Sequence, residues 1–304
     1  MSPLLVLMVA VLATTYAGPI VRFATAPAVA IAFWRLVLVL PVTFGLATRE
    51  RQRTSVMREA FPLMLLAGVL LAVHFWTWIA SLRFTTVASS VVLVSLKPIF
   101  AWGIAALWLG EHPAPTERWG IALAVAGATL IGLADARLSL GALGGDALAL
   151  AGALTGAGYY VIGRRVRRTV GIWSYASAVY AVAALLLGWS AALRGAPLTG
   201  FGGRDWTVFG AMAAGPMLLG HTGMNYALKH YRATTVNVAA LGEPVGATII
   251  AWLVPAIHEV PPVMALVGGV LVLVGIGLAL GTGRAAHQPR ARARGQAPSA
   301  RMPD

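Results

Sequence analysis

The sequence predicts an all-α polytopic membrane protein: ten transmembrane helices arranged as two inverted five-helix repeats. Three observations predict it. Apolar residues make up 59% of the 304 positions and charged residues only 11%, whereas a soluble domain carries roughly 25% charged residues. The chain also divides into ten apolar stretches of the length a bilayer-crossing helix needs, about 20 residues. Finally, its second half repeats an ordered set of residues from the first. Such a composition excludes a soluble enzyme, a disordered chain and an acidic binding module. The absence of cysteine excludes a disulfide framework and thiolate chemistry.

The predicted spans run approximately over 3–21, 28–47, 60–82, 86–109, 118–134, 144–162, 172–193, 206–228, 233–256 and 262–281. Short clusters rich in Arg, Gly and Pro separate them, as expected of helix ends. Two-residue alternation is missing, which argues against a β-barrel. Residues 3–14 are similar to the core of a signal peptide, but no basic segment precedes them, so they are read as the first span.

The loop charges set the orientation. If the N-terminus is cytoplasmic, the inner loops hold the cluster Arg49 to Arg58, Arg118, the cluster Arg164 to Arg168, Lys229 and Arg232, together with the tail arginines. The outer loops hold Arg22, Arg83, Arg137, Arg194 and Arg204. Basic residues favour the cytoplasmic side, so both termini are expected there, in a bacterial inner (cell) membrane. The net charge of +13 is then topological, and no nucleic-acid partner is expected. Residues 284–304 are expected to form a disordered basic tail.

The internal repeat gives the domain organisation: 1–138 for the first repeat, 139–283 for the second. Pro98 and Pro244 lie 146 positions apart. Glu111 and Glu259, Pro113 and Pro261, Gly120 and Gly268, and Gly127 and Gly275 each lie 148 apart. An odd number of spans per repeat inverts the second half in the membrane. Inverted repeats are a mark of secondary transporters, whose two halves exchange conformations around a midplane site.

Several motifs resemble the EamA family of the drug/metabolite transporter (DMT) superfamily over residues 3–281. They are Ala32 to Leu36, Ala88 to Val94, Pro98-Ile99-Phe100 with Leu109-Gly110-Glu111, Gly220-His221-Thr222 with Asn225, and Leu241 to Gly246. The resemblance implies a central cavity lined by the first, third, fourth, sixth, eighth and ninth spans. It also implies a secondary active transporter that exports amino acids or related small metabolites by alternating access. Lys97 departs from the family pattern, which more often has a small polar residue there.

The candidate substrate or coupling residues are Lys97, Glu243, His74, His221, Asn225, Asn237, Trp78 and Tyr159, with Pro98 and Pro244 as helix-kink positions. Lys97 and Glu243 each precede a proline in corresponding spans, and proline removes a backbone hydrogen bond and kinks a helix. A charge near mid-span costs at least about 2.5–3.5 kcal/mol unless it is paired or hydrated. The two residues are therefore expected to form an ion pair across the cavity. That pair is either reshaped by substrate or a proton, or permanently structural. His74 and His221 occupy near-equivalent repeat positions and titrate close to neutrality, which makes protons candidate coupling ions. Trp76 and Tyr160 are further possible cavity residues. Arg35, about two turns into the second span, either snorkels outward, binds an anionic group or is structural, the role that the family resemblance favours; Glu111 and Glu259 are expected to fix loops. The spacings Gly152-x-x-x-Gly156, Gly242-x-x-x-Gly246 and Gly277-x-x-x-Gly281 are expected to allow close helix contact.

An intramembrane enzyme and a non-transporting receptor or assembly protein are the competing classes. The sequence has no His-Glu-x-x-His, no Gly-x-Ser-x-Gly and no Walker A motif. No metal and no cofactor are expected; the expected partners are a small-molecule substrate and the lipid bilayer.

Overall fold

The structure is a computed structural model describing residues 2–21, 23–85, 90, 93–133, 143–253 and 260–283. The tail 284–304, the start of the predicted fourth span at 86–89 and 91–92, Arg22, Arg137 and Glu259 lie outside the described residues. Every regular element among the described residues is helical.

The helices are α1 (Pro3–Thr15), α2 (Ala17–Val21), α3 (Ala28–Val37), α4 (Leu40–Ala47), α5 (Thr54–Phe84), α6 (Lys97–Leu109) and α7 (Pro115–Leu133) from the first half. The second half supplies α8 (Leu143–Val166), α9 (Ile172–Leu193), α10 (Gly203–Met212), a π-helical segment over Ala213–His221, α11 (Thr222–Ala227), α12 (Ala233–Ala240), α13 (Gly242–Leu253) and α14 (Val263–Gly283). Among the described residues, four stretches are long and apolar enough to cross a bilayer: Ala28–Ala47, Thr54–Ser81, Ile172–Leu193 and Val263–Gly281. Many large apolar side chains point outward, Leu107, Leu185 and Val263 among them. Water does not favour such a surface; lipid does.

Where the sequence predicts continuous spans, the backbone is interrupted at three functionally suggestive places. The chain turns at Ser95 and Leu96 before α6 starts at Lys97-Pro98. In the second half α12 stops at Ala240, Leu241 turns, and α13 starts at Gly242. At both interruptions the turning residues Leu96 and Leu241 keep right-handed helical dihedrals. Each proline falls in the first turn of a new helix, where its missing N–H removes no helical hydrogen bond. The third interruption is the nine-residue π-helical segment between α10 and α11, which contains Pro216. π-type winding is rare and is frequent at functional sites.

Close packing relies on absent side chains. On α8, a β-carbon at Gly156 would lie 2.8 Å from Nδ1 of His74, and one at Gly152 would lie 3.2 Å from Oγ1 of Thr77, both on α5. Gly242 and Gly246 meet Val11 and Thr15 of α1. The third expected spacing is a correction: β-carbons at Gly277 and Gly281 would meet nothing within 4 Å among the described residues. On that helix the close face is carried instead by Gly268 and Gly275, seven residues apart and so two turns along one stripe. They pack against Gly127 and Gly120 of α7.

One end of the bundle carries the basic clusters and is tied by ion pairs. The buried Glu117 accepts hydrogen bonds from Arg232 at 2.6 Å and from Thr234 and Thr235 at 3.2 and 2.6 Å. Glu111, read as loop-fixing, pairs with Arg164 at 3.1 Å and Arg168 at 2.6 Å. Arg164 also donates to the carbonyl of Leu228 at 2.7 Å, satisfying an orphan acceptor at the end of α11. Glu50 accepts from the backbone N–H groups of Trp173 and Ser174, which caps the start of α9. Few buried polar atoms at this end lack a partner.

Candidate functional site

A cavity of about 180 Å³ lies among α1, α3, α5, α6, α8, the π-helical segment and the α12–α13 break. Its volume somewhat exceeds the roughly 150 Å³ that admits benzene in an engineered protein core. A small metabolite therefore fits. α5 starts beside the Arg49–Arg58 cluster, so its last third, bearing His74, Phe75 and Trp78, lies toward the opposite end of the bundle. The tied basic end and the cavity are thus separated along the bundle axis.

Each charged side chain reaches the cavity for a local reason. Lys97 is the first residue of α6 and Glu243 the second of α13. The two breaks turn both helix starts into cavity wall. A helix N-terminus carries partial positive charge, which favours the Glu243 carboxylate and disfavours the Lys97 ammonium. Arg35 comes from the last turn of α3 and is only 3% exposed. Its guanidinium carbon lies 4.5 Å from the centre of the Phe75 ring. The Arg35 Nε is buried without a hydrogen-bond partner among the described residues.

The two histidines flank the same ring. The His74 and His221 ring centres lie 5.5 and 5.3 Å from that of Phe75. Nδ1 of His74 is 2.7 Å from the carbonyl oxygen of Gly152. A carbonyl only accepts, so this geometry assigns the proton to Nδ1 and leaves Nε2 as the acceptor of the neutral ring. The Tyr160 hydroxyl stands 3.4 Å from Nδ1 of His221 and donates to Sδ of Met224 at 3.1 Å. Arg35 lies within electrostatic reach of Glu243, and Arg35 and Lys97 lie within reach of both histidines.

Of the residues singled out from the sequence, Lys97, Glu243, His74, His221, Trp78 and Pro244 line this cavity. Pro98 is buried behind Lys97. Asn225 and Tyr159 are fully buried and bonded to each other, Asn225 Nδ2 donating to the tyrosine oxygen. They stand behind the wall rather than in it. Asn237 is also fully buried and donates to the carbonyl of Ala233 at 2.8 Å, one turn back on its own helix. Trp76 lies under the Arg194 guanidinium, 4.6 Å from ring centre to Cζ.

The expected ion pair between Lys97 and Glu243 is not formed: no ion pair joins them among the described residues. Because each begins its own half-helix, each faces the cavity rather than a helix neighbour. Arg35 also lines the cavity with its guanidinium over the Phe75 ring, a placement that both its structural and its anion-binding reading allow. The signal available in the sequence was its depth, since with Lys97 and Glu243 it is a charge near mid-span. Thr14, Thr15 and Ser95 also line the cavity; short hydroxyl residues in apolar helices carry no comparable sequence signal.

Known proteins match the chain throughout. The EamA-like transporter family matches residues 1–133 and 143–281, one match for each half. A pseudopaline exporter, CntI, of Pseudomonas aeruginosa is 28% identical over 256 residues, covering 83% of this chain and 85% of that protein; it matches in two strains. A solved crystal structure superposes with a TM-score of 0.80 at 18% identity, over 94% of this chain and 99% of the other, which speaks to the fold alone. The chain belongs to the EamA-like transporter family.

Proposed function

We propose that the protein is a secondary transporter of a bacterial inner membrane that exports amino acids or related small metabolites by alternating access. The single observation that carries this reading is the cavity. Arg35, Lys97 and Glu243 meet around a space of small-metabolite size, at the breaks of two helices that correspond in the repeat. Charged groups at that depth are costly and are retained where they face a ligand, an ion or water.

In this reading ten spans form two inverted five-helix repeats, and the basic end of the bundle is cytoplasmic, with both termini there. The cavity then communicates with the outer side, while the Glu111 and Glu117 networks close the cytoplasmic side. Exchange between this arrangement and its mirror moves the substrate. The glycine contacts between α7 and α14 support the symmetry, because the contact of Gly120 with Gly275 is matched by that of their equivalents, Gly268 with Gly127. Glu243 is the candidate proton-coupling group, since protonation removes the one carboxylate among the cavity-lining side chains. The exporter name of the Pseudomonas relative supports outward transport of a small metabolite.

The test is counterflow in proteoliposomes. Purified protein is reconstituted with an unlabelled pool of amino compounds inside, and entry of labelled compounds is followed. The expected outcome is saturable exchange that falls roughly tenfold or more in Glu243→Gln and Lys97→Ala, the scale of losing one charged contact. Ligand binding without flux overturns the transport reading. Wild-type rates in both variants overturn the role of the two residues.

A further inference from the structure

The charges in the cavity wall do not balance. Among the described residues, Arg35 and Lys97 contribute two cations to the wall against the single carboxylate of Glu243. Neither cation has an ion pair or hydrogen bond among the described residues, and the Arg35 Nε is buried with its donor unused. Guanidinium groups at such burial are ordinarily paired. Here the aromatic face of Phe75 beneath the guanidinium holds it in place without using its N–H donors. Lys97 stands at the positive end of α6, where a cation gains nothing from its own helix. Both groups are therefore built to receive an anion from outside the chain.

We infer that Arg35 and Lys97 form a paired anion subsite, and that the transported molecule is a small amino compound carrying two carboxylates, its amine held by Glu243. This rests on the transport reading above and names the substrate class of the same cavity. A molecule of one ammonium and two carboxylates supplies the negative charge that the wall lacks, so the loaded cavity is neutral. Neutrality matters for alternating access because a net charge occluded between the two half-membranes carries a solvation cost that a neutral complex avoids. The guanidinium presents a planar fork suited to one carboxylate, and the ammonium a compact charge suited to the other. The cavity volume of about 180 Å³ limits the skeleton to short chains.

The experiment titrates the protein, in nanodiscs of phosphatidylcholine alone so that no anionic headgroup competes, by isothermal calorimetry with pairs of a dicarboxylate and its monocarboxylate counterpart. The pairs are L-aspartate with L-asparagine, L-glutamate with L-glutamine, and iminodiacetate with N-methylglycine as its monocarboxylate counterpart. The expected result is that in at least one pair the dicarboxylate binds roughly tenfold or more tightly, the scale of a charge-assisted hydrogen bond. Arg35→Gln and Lys97→Gln each abolish that preference without weakening the monocarboxylate partner equally, and Lys97→Arg restores part of it. If Arg35→Gln fails to fold, the Lys97 series carries the test. No preference for the acid in any pair overturns the subsite, and so does a preference that survives Lys97→Gln. Counterflow of the same compounds separates the two readings. Flux of neutral amino acids without acid preference sinks the subsite alone, and acid-selective binding without flux sinks the transport reading alone.

Discussion

Gly120 of α7 and Gly275 of α14 touch backbone to backbone: a β-carbon on Gly120 would lie 2.6 Å from the carbonyl oxygen of Gly275, and one on Gly275 would lie 2.5 Å from that of Gly120. Gly127 and Gly268 repeat the arrangement two turns away. The pairing is reciprocal and crosses the repeats, since Gly120 is equivalent to Gly268 and Gly127 to Gly275. In lipid, helices gain little from hiding apolar surface against each other, and close backbone approach supplies the attraction instead.

Filling this contact is expected to loosen the two halves of the bundle. Gly120→Ala and Gly268→Ala should each lower stability by about 1–3 kcal/mol, the usual cost of overpacking. Gly277→Ala, which would meet nothing within 4 Å, should be neutral or slightly stabilising because alanine favours the helix. Thermal unfolding of the three variants in detergent checks the ordering; equal melting temperatures for all three would contradict it.

The basic end should open when Glu117 loses its charge. Glu117 is fully buried and serves Arg232, Thr234 and Thr235 at once. Glu117→Gln leaves Arg232 with a neutral partner, and breaking such a buried pair costs about 3–5 kcal/mol where the remaining charge stays buried. Because the chain has no cysteine, a single Ala240→Cys in the cavity wall reports access. An impermeant maleimide applied to the basic side should label it faster in Glu117→Gln than in the parent.

At the opposite end Asp205 gives a pH signature. Its carboxylate accepts hydrogen bonds from the Thr25 hydroxyl at 2.7 Å and from the Thr25 and Ala26 N–H groups at 2.7 and 3.1 Å. These bonds, the Thr25 hydroxyl foremost, hold its carboxyl below the usual carboxylate range. A folded pKa below the unfolded value means that the contribution is complete above about pH 4, the ordinary aspartate value, and disappears as pH falls through the folded pKa. Melting curves of the wild type and Asp205→Asn should therefore differ most near neutrality and converge on acidification. A gap that widens toward low pH would refute the assignment.

The buried pair behind the cavity wall should govern stability and leave binding intact. Asn225→Ala removes the donor to Tyr159 from a fully buried hydrogen bond, at a cost of about 0.5–1.5 kcal/mol. Binding of the compounds above, measured below the melting transition, should change by less than about twofold. A loss of affinity as large as that of Lys97→Gln would place Asn225 in the site after all.

The sequence by itself determined the helical membrane class, the two-part organisation and the short list of deep charges. Each of these follows from composition or from one-dimensional spacing. Lipid tolerates only chains with satisfied backbones and apolar surfaces, and duplication leaves a fixed offset between matching residues. The equivalence of Gly120 with Gly268 was visible for this reason; that Gly120 packs against Gly275 was not. Likewise Pro98 and Pro244 announced disturbed helices, but only the folded chain shows Lys97 and Glu243 at the helix starts that follow the interruptions. Only the folded chain places Arg35 in the cavity wall and Asn225 behind it, hydrogen-bonded to Tyr159. Which face of a helix meets a cavity is decided by how it packs against helices distant in sequence. Where every face is apolar, or a π-helical segment shifts the register as it does before Asn225, periodicity carries no record of that choice.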